Sequence, residues 1–226
     1  VSTLGGLKAE IADDLARSDL TTQIASAISH AIRVHRGRPF WWTRDRSTTF
    51  STTASTAQYT SAEVAAFENV IRLHHVLVER NGSKSRLLWM RQDELEIANS
   101  GGSESYPAFY SWHDGALWLS PVPDAAYTVQ LFADMIEAAP ATDAETGNRW
   151  MTDCYGLIRA EAKRYLAKHV MRDRSLDEDM QQDVVRELRN LMQESARKDT
   201  SGTIAVDEDY SNRSTPYWHG SYGRRW

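Results

Sequence analysis

The chain is poor in residues that carry covalent, metal or membrane chemistry. Among its 226 residues there is a single cysteine, Cys154. That excludes an internal disulfide framework and any zinc cluster built from thiolates. No run reaches the roughly 18 apolar residues of a membrane-spanning helix. The start of the sequence also lacks the apolar core of a signal peptide, so a soluble protein made in the cytoplasm is expected. Basic excess is missing too: 26 Lys and Arg against 31 Asp and Glu give a net charge of −5. A dedicated nucleic-acid binder would show a basic stripe. DNA that merely slides past is compatible with this balance, because strong attraction would hinder it.

Catalytic signatures are equally scarce. GxSxG, HExxH, Walker A and GxGxxG do not occur, and Gly101-Gly102 alone cannot cradle a phosphate. His74-His75 falls in an expected strand, where neighbours point to opposite faces and cannot readily share a metal. Ser29 and His30 are adjacent on a helix, about 100° apart and outside nucleophile–base contact. Turn chemistry accounts for His113-Asp114. A solvated helix face accounts for Glu94 and Glu96, and a helix start for Asp177-Glu178-Asp179. Cys154 lies on an apolar helix face and reads as a buried structural thiol. No catalytic residue, cofactor or metal is expected, and the chain reads as a non-enzyme.

Helical periodicity is present at both ends. Leu4, Leu7, Ile11 and Leu15 share one face, with Thr3 as N-cap. A second helix starts at Ser18 or Asp19, carries Leu20, Ile24, Ala27, Ile28, Ala31 and Ile32, and stops at Gly37 and Pro39. A third holds Met151, Cys154, Tyr155, Ile158, Ala162, Tyr165, Leu166 and His169 on a broad apolar face. A fourth begins at the capping box Ser175-x-x-Glu178 and buries Met180, Val184, Leu188, Leu191 and Met192.

The middle alternates instead. Residues 76–88 read as two strands around Asn81-Gly82, and residues 109–119 as a second hairpin around Asp114-Gly115. Pro121 to Asp124 makes a turn into a strand with Tyr127, Val129, Leu131 and Ala133 on one face. The Ser/Thr-rich residues 47–61 read as exposed edge strand or loop, and residues 91–99 as a short helix. The expected class is α+β. A four-helix bundle from residues 1–38 and 148–198 carries an inserted antiparallel β subdomain, residues 39–147, and an extended C-terminal arm, residues 199–226.

Aromatics are plentiful, with eight tryptophans. Phe40-Trp41-Trp42 sits at the helix-to-sheet junction and is expected to seal the seam between subdomains or between subunits. Tyr110, Trp112 and Trp118 belong to the second hairpin. The arm carries Tyr210, Tyr217, Trp218, Tyr222 and Trp226 among Gly, Ser, Asn and Pro, and ends on Arg224-Arg225-Trp226. Ordering it costs on the order of 1–2 kcal/mol per residue. Five rings of roughly 150–250 Å² each offset that only against another surface. An arm that folds onto a partner is the favoured reading, with an unstructured tail or one tucked against its own domain as the alternative.

The ordered layout resembles the head-to-tail connector (adaptor) proteins of tailed bacteriophages, including the tail tubular protein A group of short-tailed phages. The features that carry the resemblance are RGRPFWWTRD (residues 36–45), NVIRLHHVLVERNG (69–82), PAFYSWHDGALWLSPVPDAAYTVQLF (107–132) and LIRAEAKRYLAKHVMRD (157–173). The resemblance implies a structural virion protein of the head–tail neck, assembled in the host cytoplasm. It would form a twelvefold homo-oligomeric ring under the portal protein and carry the next tail component, a nozzle, tail tube or stopper protein. Genomic DNA would pass through without specific binding, and no membrane is involved. It also implies a portal-binding role for the arm, with Tyr210, Tyr217, Trp218, Tyr222 and Trp226 as anchors and Arg224 and Arg225 as ion-pair donors. Two other readings remain: a phage tail-associated cell-wall or glycan hydrolase using Glu94, Glu96 and Asp114, and an adaptor of a prophage remnant or gene-transfer particle.

Overall fold

A computed structural model describes residues 2–199. The arm residues 200–226, and with them Tyr210, Tyr217, Trp218, Tyr222, Arg224, Arg225 and Trp226, lie outside the described residues.

Helix α1 (Leu4–Asp14) starts as its sequence dictates. Thr3 Oγ1 accepts the Gly6 amide at 3.1 Å, and Leu7 and Ile11 are buried. Helix α2 (Thr21–His35) begins later than expected. Asp19 is drawn away by the Arg17 guanidinium at 2.7 Å, and Leu20 holds the cap position without a side-chain bond. Its apolar stripe from Ile24 to Ile32 is buried.

The expected third helix is broken in two. One turn, α4 (Arg149–Thr152), is followed by α5 (Tyr155–Leu166), with Cys154 at the joint. Residues Ala167–Met171 then widen into a π turn that closes on Arg172 at φ 56°. Such a widened turn changes where later side chains point. His169, expected on the apolar face, is exposed, and its ring lies 4.7 Å from that of Tyr165.

Helix α6 (Arg174–Asp199) is also capped differently. Asp173 Oδ1 accepts the Leu176 amide at 3.1 Å, so Asp173 is the cap and Ser175 lies inside the helix. Asp173 precedes Ser175, so the helix nucleates at the earlier acceptor. The Glu178 carboxylate pairs with Arg174 at 2.8 Å. Helix α5 packs against α1, α2 and α6. Leu7, Ile28, Phe40, Trp150, Leu157 and Leu191 belong to one apolar core, so helices from both ends of the chain are joined there.

Among the described residues, nine strands form two sheets. The first is ordered β1 (Arg44–Asp45), β9 (Thr128–Met135), β4 (Val70–Arg80) and β5 (Ser83–Arg86), with β2 (Thr49–Ser51) also on β9. The second is ordered β3 (Gln58–Tyr59), β8 (Ala116–Ser120), β7 (Phe109–His113) and β6 (Leu88–Trp89). Both expected hairpins are present, pairing Arg80 with Ser83 and His113 with Ala116. Their turns have both central residues left-handed: Asn81 and Gly82 at φ 52° and 76°, Asp114 and Gly115 at 49° and 70°. That is the type I′ geometry which Asn-Gly and Asp-Gly favour.

Two β features depart from expectation. Strand β4 starts at Val70, well before residue 76. The β6–β7 pair is parallel, so the β part is mixed and not purely antiparallel. The chain changes sheets between Leu87, whose amide bonds Val76, and Leu88, whose amide bonds Ala108. Helix α3 (Gln92–Asn99) then supplies the crossover that a parallel pair requires. Tyr59, Phe67, Val76, Tyr110, Leu117 and Leu131 belong to a second core lined by both sheets. The α+β class is therefore as expected, with six α-helices and two sheets among the described residues.

Candidate functional site

The aromatic junction is built by helix α2 ending and the chain turning back under the helical core. Phe40 is buried and stacks on Trp42 with centroids 4.6 Å apart. Trp150 meets Phe40 edge-on at 6.2 Å and Trp42 at 6.5 Å. Trp41 is half-buried and meets Trp42 edge-on at 5.6 Å. The Trp41 amide donates to Ser195 Oγ at 3.2 Å, which ties this segment to the last turns of α6. Lys198 Nζ lies 3.7 Å from the Trp41 ring centroid and the Arg149 guanidinium 5.0 Å from it, a cation on each of two helices. The sequence singled out these three aromatics, and the fold brings them together. Trp150, the fourth ring, was hidden in the sequence because it opens a one-turn helix with no periodicity of its own.

A buried polar chain crosses the helical core close by. Arg38 Nε donates to His35 Nδ1 at 3.1 Å, which leaves the proton of neutral His35 on Nε2. That nitrogen faces Glu161 Oε2 at 3.9 Å, a charge–dipole contact too long for a hydrogen bond. Arg164 approaches Glu161 Oε1 at 3.4 Å and Asp177 Oδ1 at 3.4 Å. The chain thus runs from α2 through α5 to α6. The His35 imidazole and then Arg164 hold the Glu161 carboxyl below its ordinary range, against the opposing effect of burial. On the outer side of the same helices, Asp14 binds Arg159 at 2.7 Å and Lys163 at 3.1 Å, and the Arg159 guanidinium chiefly holds its carboxyl low.

The catalytic candidates stay apart. Glu94 and Glu96 are exposed on α3, and Gln92 donates to Glu96 at 2.8 Å. Asp114 is a turn residue with a left-handed backbone. Ser29 Oγ donates to the Ala25 carbonyl at 3.0 Å, while His30 lies over Tyr165 at 4.6 Å. Burial pushes the Cys154 thiol far up, which makes it a poor nucleophile. Among the described residues, no group of three His, Cys, Asp or Glu could hold a metal. No described helix is long and apolar enough to cross a membrane.

His74 and His75 break the alternation rule used on the sequence. A register shift between Leu73 and His75 disturbs β4, and both imidazoles line one cavity of about 250 Å³ with Arg44, Arg46 and Phe132. His74 Nε2 meets Asp134 Oδ2 at 3.0 Å, and His75 stacks on Phe132 at 4.2 Å. A bulge is the device that re-aims a side chain in this way.

Residues 2–214 match the family model of the SU10 adaptor protein. The chain belongs to the SU10 adaptor protein family. No curated protein matches it. Membership supports the reading of the chain as a phage head–tail adaptor and structural protein, and gives no support to a hydrolase. The likeness to the tail tubular protein A group has no such match behind it. One set of exposed apolar side chains escaped the sequence reading. Leu88 and Trp89 on the edge strand β6 are 61% and 64% exposed, and Ile97 on α3 is 73% exposed. The signal was the unbroken apolar run Leu87-Leu88-Trp89, of which alternation allows only part to face a core.

Proposed function

We propose that the chain is the ring-forming adaptor of a phage neck, seated between the portal protein and the next tail component. The observation that carries this reading is the family match across residues 2–214, which takes in the helical core, both sheets and the first part of the arm. On this reading residues 1–38 and 148–198 form the helical unit that packs side by side in the ring. Residues 39–147 are the β insertion facing the tail protein, and residues 199–226 are the arm. Twelve copies in a closed ring would multiply one weak arm contact into a stable attachment. Phe40, Trp41 and Trp42 would seal the seam between subdomains or between neighbouring subunits. Tyr217, Trp218, Tyr222 and Trp226 would anchor it in the portal, with Tyr210 nearer the root and Arg224 and Arg225 pairing with portal carboxylates. A segment that orders only on contact suits sequential assembly, because it stays unspent until the portal presents its groove. DNA would traverse the ring without sequence-specific contact.

The test is docking to purified portal rings, followed by sedimentation and electron microscopy. The full chain is expected to form a ring on portal, and the chain lacking residues 199–226 to fail. Equal docking by both would overturn the role of the arm. Loss of peptidoglycan-clearing activity on substituting Glu94, Glu96 and Asp114 would instead revive the hydrolase.

A further inference from the structure

The outer face of the first sheet carries a concentration of positive charge that the net charge of the chain conceals. Three observations define it. The Arg46 guanidinium lies 5.7 Å from the Phe132 centroid, while His75 is stacked on that ring. Lys84 on β5 donates to Gln130 on β9 at 2.8 Å, which puts Lys84, and Arg86 two residues on, on this same face. The acids facing the patch are few: Asp134 is engaged by His74 at 3.0 Å and Arg44 at 3.6 Å, and Glu79 is the cross-strand partner of Lys84. Arg46 and Arg86 have no ion-pair carboxylate among the described residues.

The surroundings of His75 report the same imbalance. Burial first, and then Arg86 on β5, His74 beside it and Arg46 after β1, disfavour its protonated form. The part of this effect that comes from the neighbouring cations is one that an anion would relieve.

We infer that this face, centred on Arg46, Arg86 and the cavity between His75 and Phe132, binds the phosphodiester backbone of nucleic acid without reading its sequence. The Arg46 guanidinium reaches over Phe132 on β9, while Arg86 stands on β5 at the far edge of the sheet, so the two cations approach the face from different strands. Guanidinium forks match phosphate oxygens in two-point contacts. The Phe132 ring has His75 against it and Arg46 over it, so it offers no open platform for stacking a base. The patch also lacks the exposed apolar anchors on which protein partners rely, whereas a phosphate backbone needs none. Such contact is local and weak enough to let a polyanion move along a chain that is acidic elsewhere. The inference stands on the sheet face alone, so its failure would leave the portal-docking reading to its own test.

The experiment follows fluorescence anisotropy of a labelled 20-base-pair duplex with the full chain between about 20 and 200 mM salt. The unmodified chain is expected to bind at low salt and to weaken linearly on logarithmic axes as salt rises. The double variant Arg46→Ala/Arg86→Ala should lower that slope by about 2, because each lost phosphate contact contributes roughly 0.9. It should also bind at least fivefold more weakly at the lowest salt, while Arg174→Ala on α6 binds like the unmodified chain. Independent of any variant, the His75 imidazole resonances should shift on adding duplex, and His75 should titrate at a higher pH in its presence. Undetectable binding at 20 mM salt, or equal slopes for the double variant and the unmodified chain, would overturn the inference. So would displacement of the duplex by poly-glutamate at equal charge concentration, which would assign the patch to an acidic protein segment.

Discussion

Trp150 Nε1 donates to the Glu137 carbonyl oxygen at 3.0 Å and thereby fastens the chain leaving β9 to the first turn of the second helical block. The ring itself is fully buried between Phe40 and Trp42. One side chain therefore does two jobs, filling the helical core and satisfying a backbone group at the exit from the sheet.

Trp150→Phe should separate those jobs. The ring contacts persist in part, while the Glu137 carbonyl loses its donor, at a cost of about 1–3 kcal/mol. Trp150→Ala should cost about 3–5 kcal/mol by leaving a cavity. Trp41→Phe is the control, since the Trp41 Nε1 is buried without a partner among the described residues and should be missed little. Urea unfolding midpoints give the ranking, and a Trp41→Phe cost equal to that of Trp150→Phe would contradict it.

Glu161 makes the helical core sensitive to acid. Its carboxyl titrates below the ordinary value of 4.5 when folded, so the folded state binds fewer protons than the unfolded one in that range. The stabilisation is complete above that value and disappears as pH falls through the folded-state value. Glu161→Gln should therefore be less stable than the parent at pH 7 by about 1–3 kcal/mol, and the gap should close in acid. Unfolding curves measured from pH 7 down to the acid limit would show it, and a gap that widens in acid would refute the assignment.

Two glycines should respond in opposite directions. Gly115 sits at φ 70° in the β7–β8 turn, so Gly115→Ala should destabilise by about 1–2 kcal/mol through backbone strain alone. At Gly156 on α5 an added methyl would meet the Glu187 carboxylate at 2.9 Å, the flexible end of a side chain that can swing aside. Gly156→Ala should then gain up to about 1 kcal/mol of helix propensity. Thermal melts of the two variants decide this.

Cys154 should behave as a clock for core opening. It is fully buried at the α4–α5 joint and its thiol is pushed upward by burial. Labelling by a thiol reagent should be undetectable in the native chain and complete in denaturant, with a native rate set by unfolding. Fast native labelling would mean that α4 and α5 part more readily than their packing suggests.

The legible parts of the fold were those fixed by short-range chemistry. Asn81-Gly82 and Asp114-Gly115 declared their turns because few other pairs tolerate two left-handed residues in succession. The α2 stripe and the α1 cap were readable for the same local reason. What escaped was decided by competition or by long-range geometry. Asp19 was taken by Arg17, Asp173 displaced Ser175 as the cap, and the π turn rotated His169 out of the core. The bulge that puts His74 and His75 in one cavity leaves no trace in a two-residue alternation. The parallel β6–β7 pair depends on a sheet change at Leu87 that no window of the sequence reveals. Of the candidate site, Phe40, Trp41 and Trp42 pack against one another, while the arm residues from Tyr210 to Trp226 fall outside the described residues.

The sharing of one core by the two ends of the chain sets an order of events during synthesis. Helices α1 and α2 emerge first, yet Leu7, Ile24 and Ile28 pack with Trp150, Leu157 and Leu191, which are made far later. At roughly 5–20 residues per second, the ribosome needs on the order of ten seconds to bridge that interval. The two sheets can pair and close over Val76 and Leu131 while the first helices still wait with their apolar stripes uncovered. A premature stop between the end of β9 and α5 would therefore leave a folded β unit trailing a sticky helical hairpin, a product suited to chaperone capture or proteolysis.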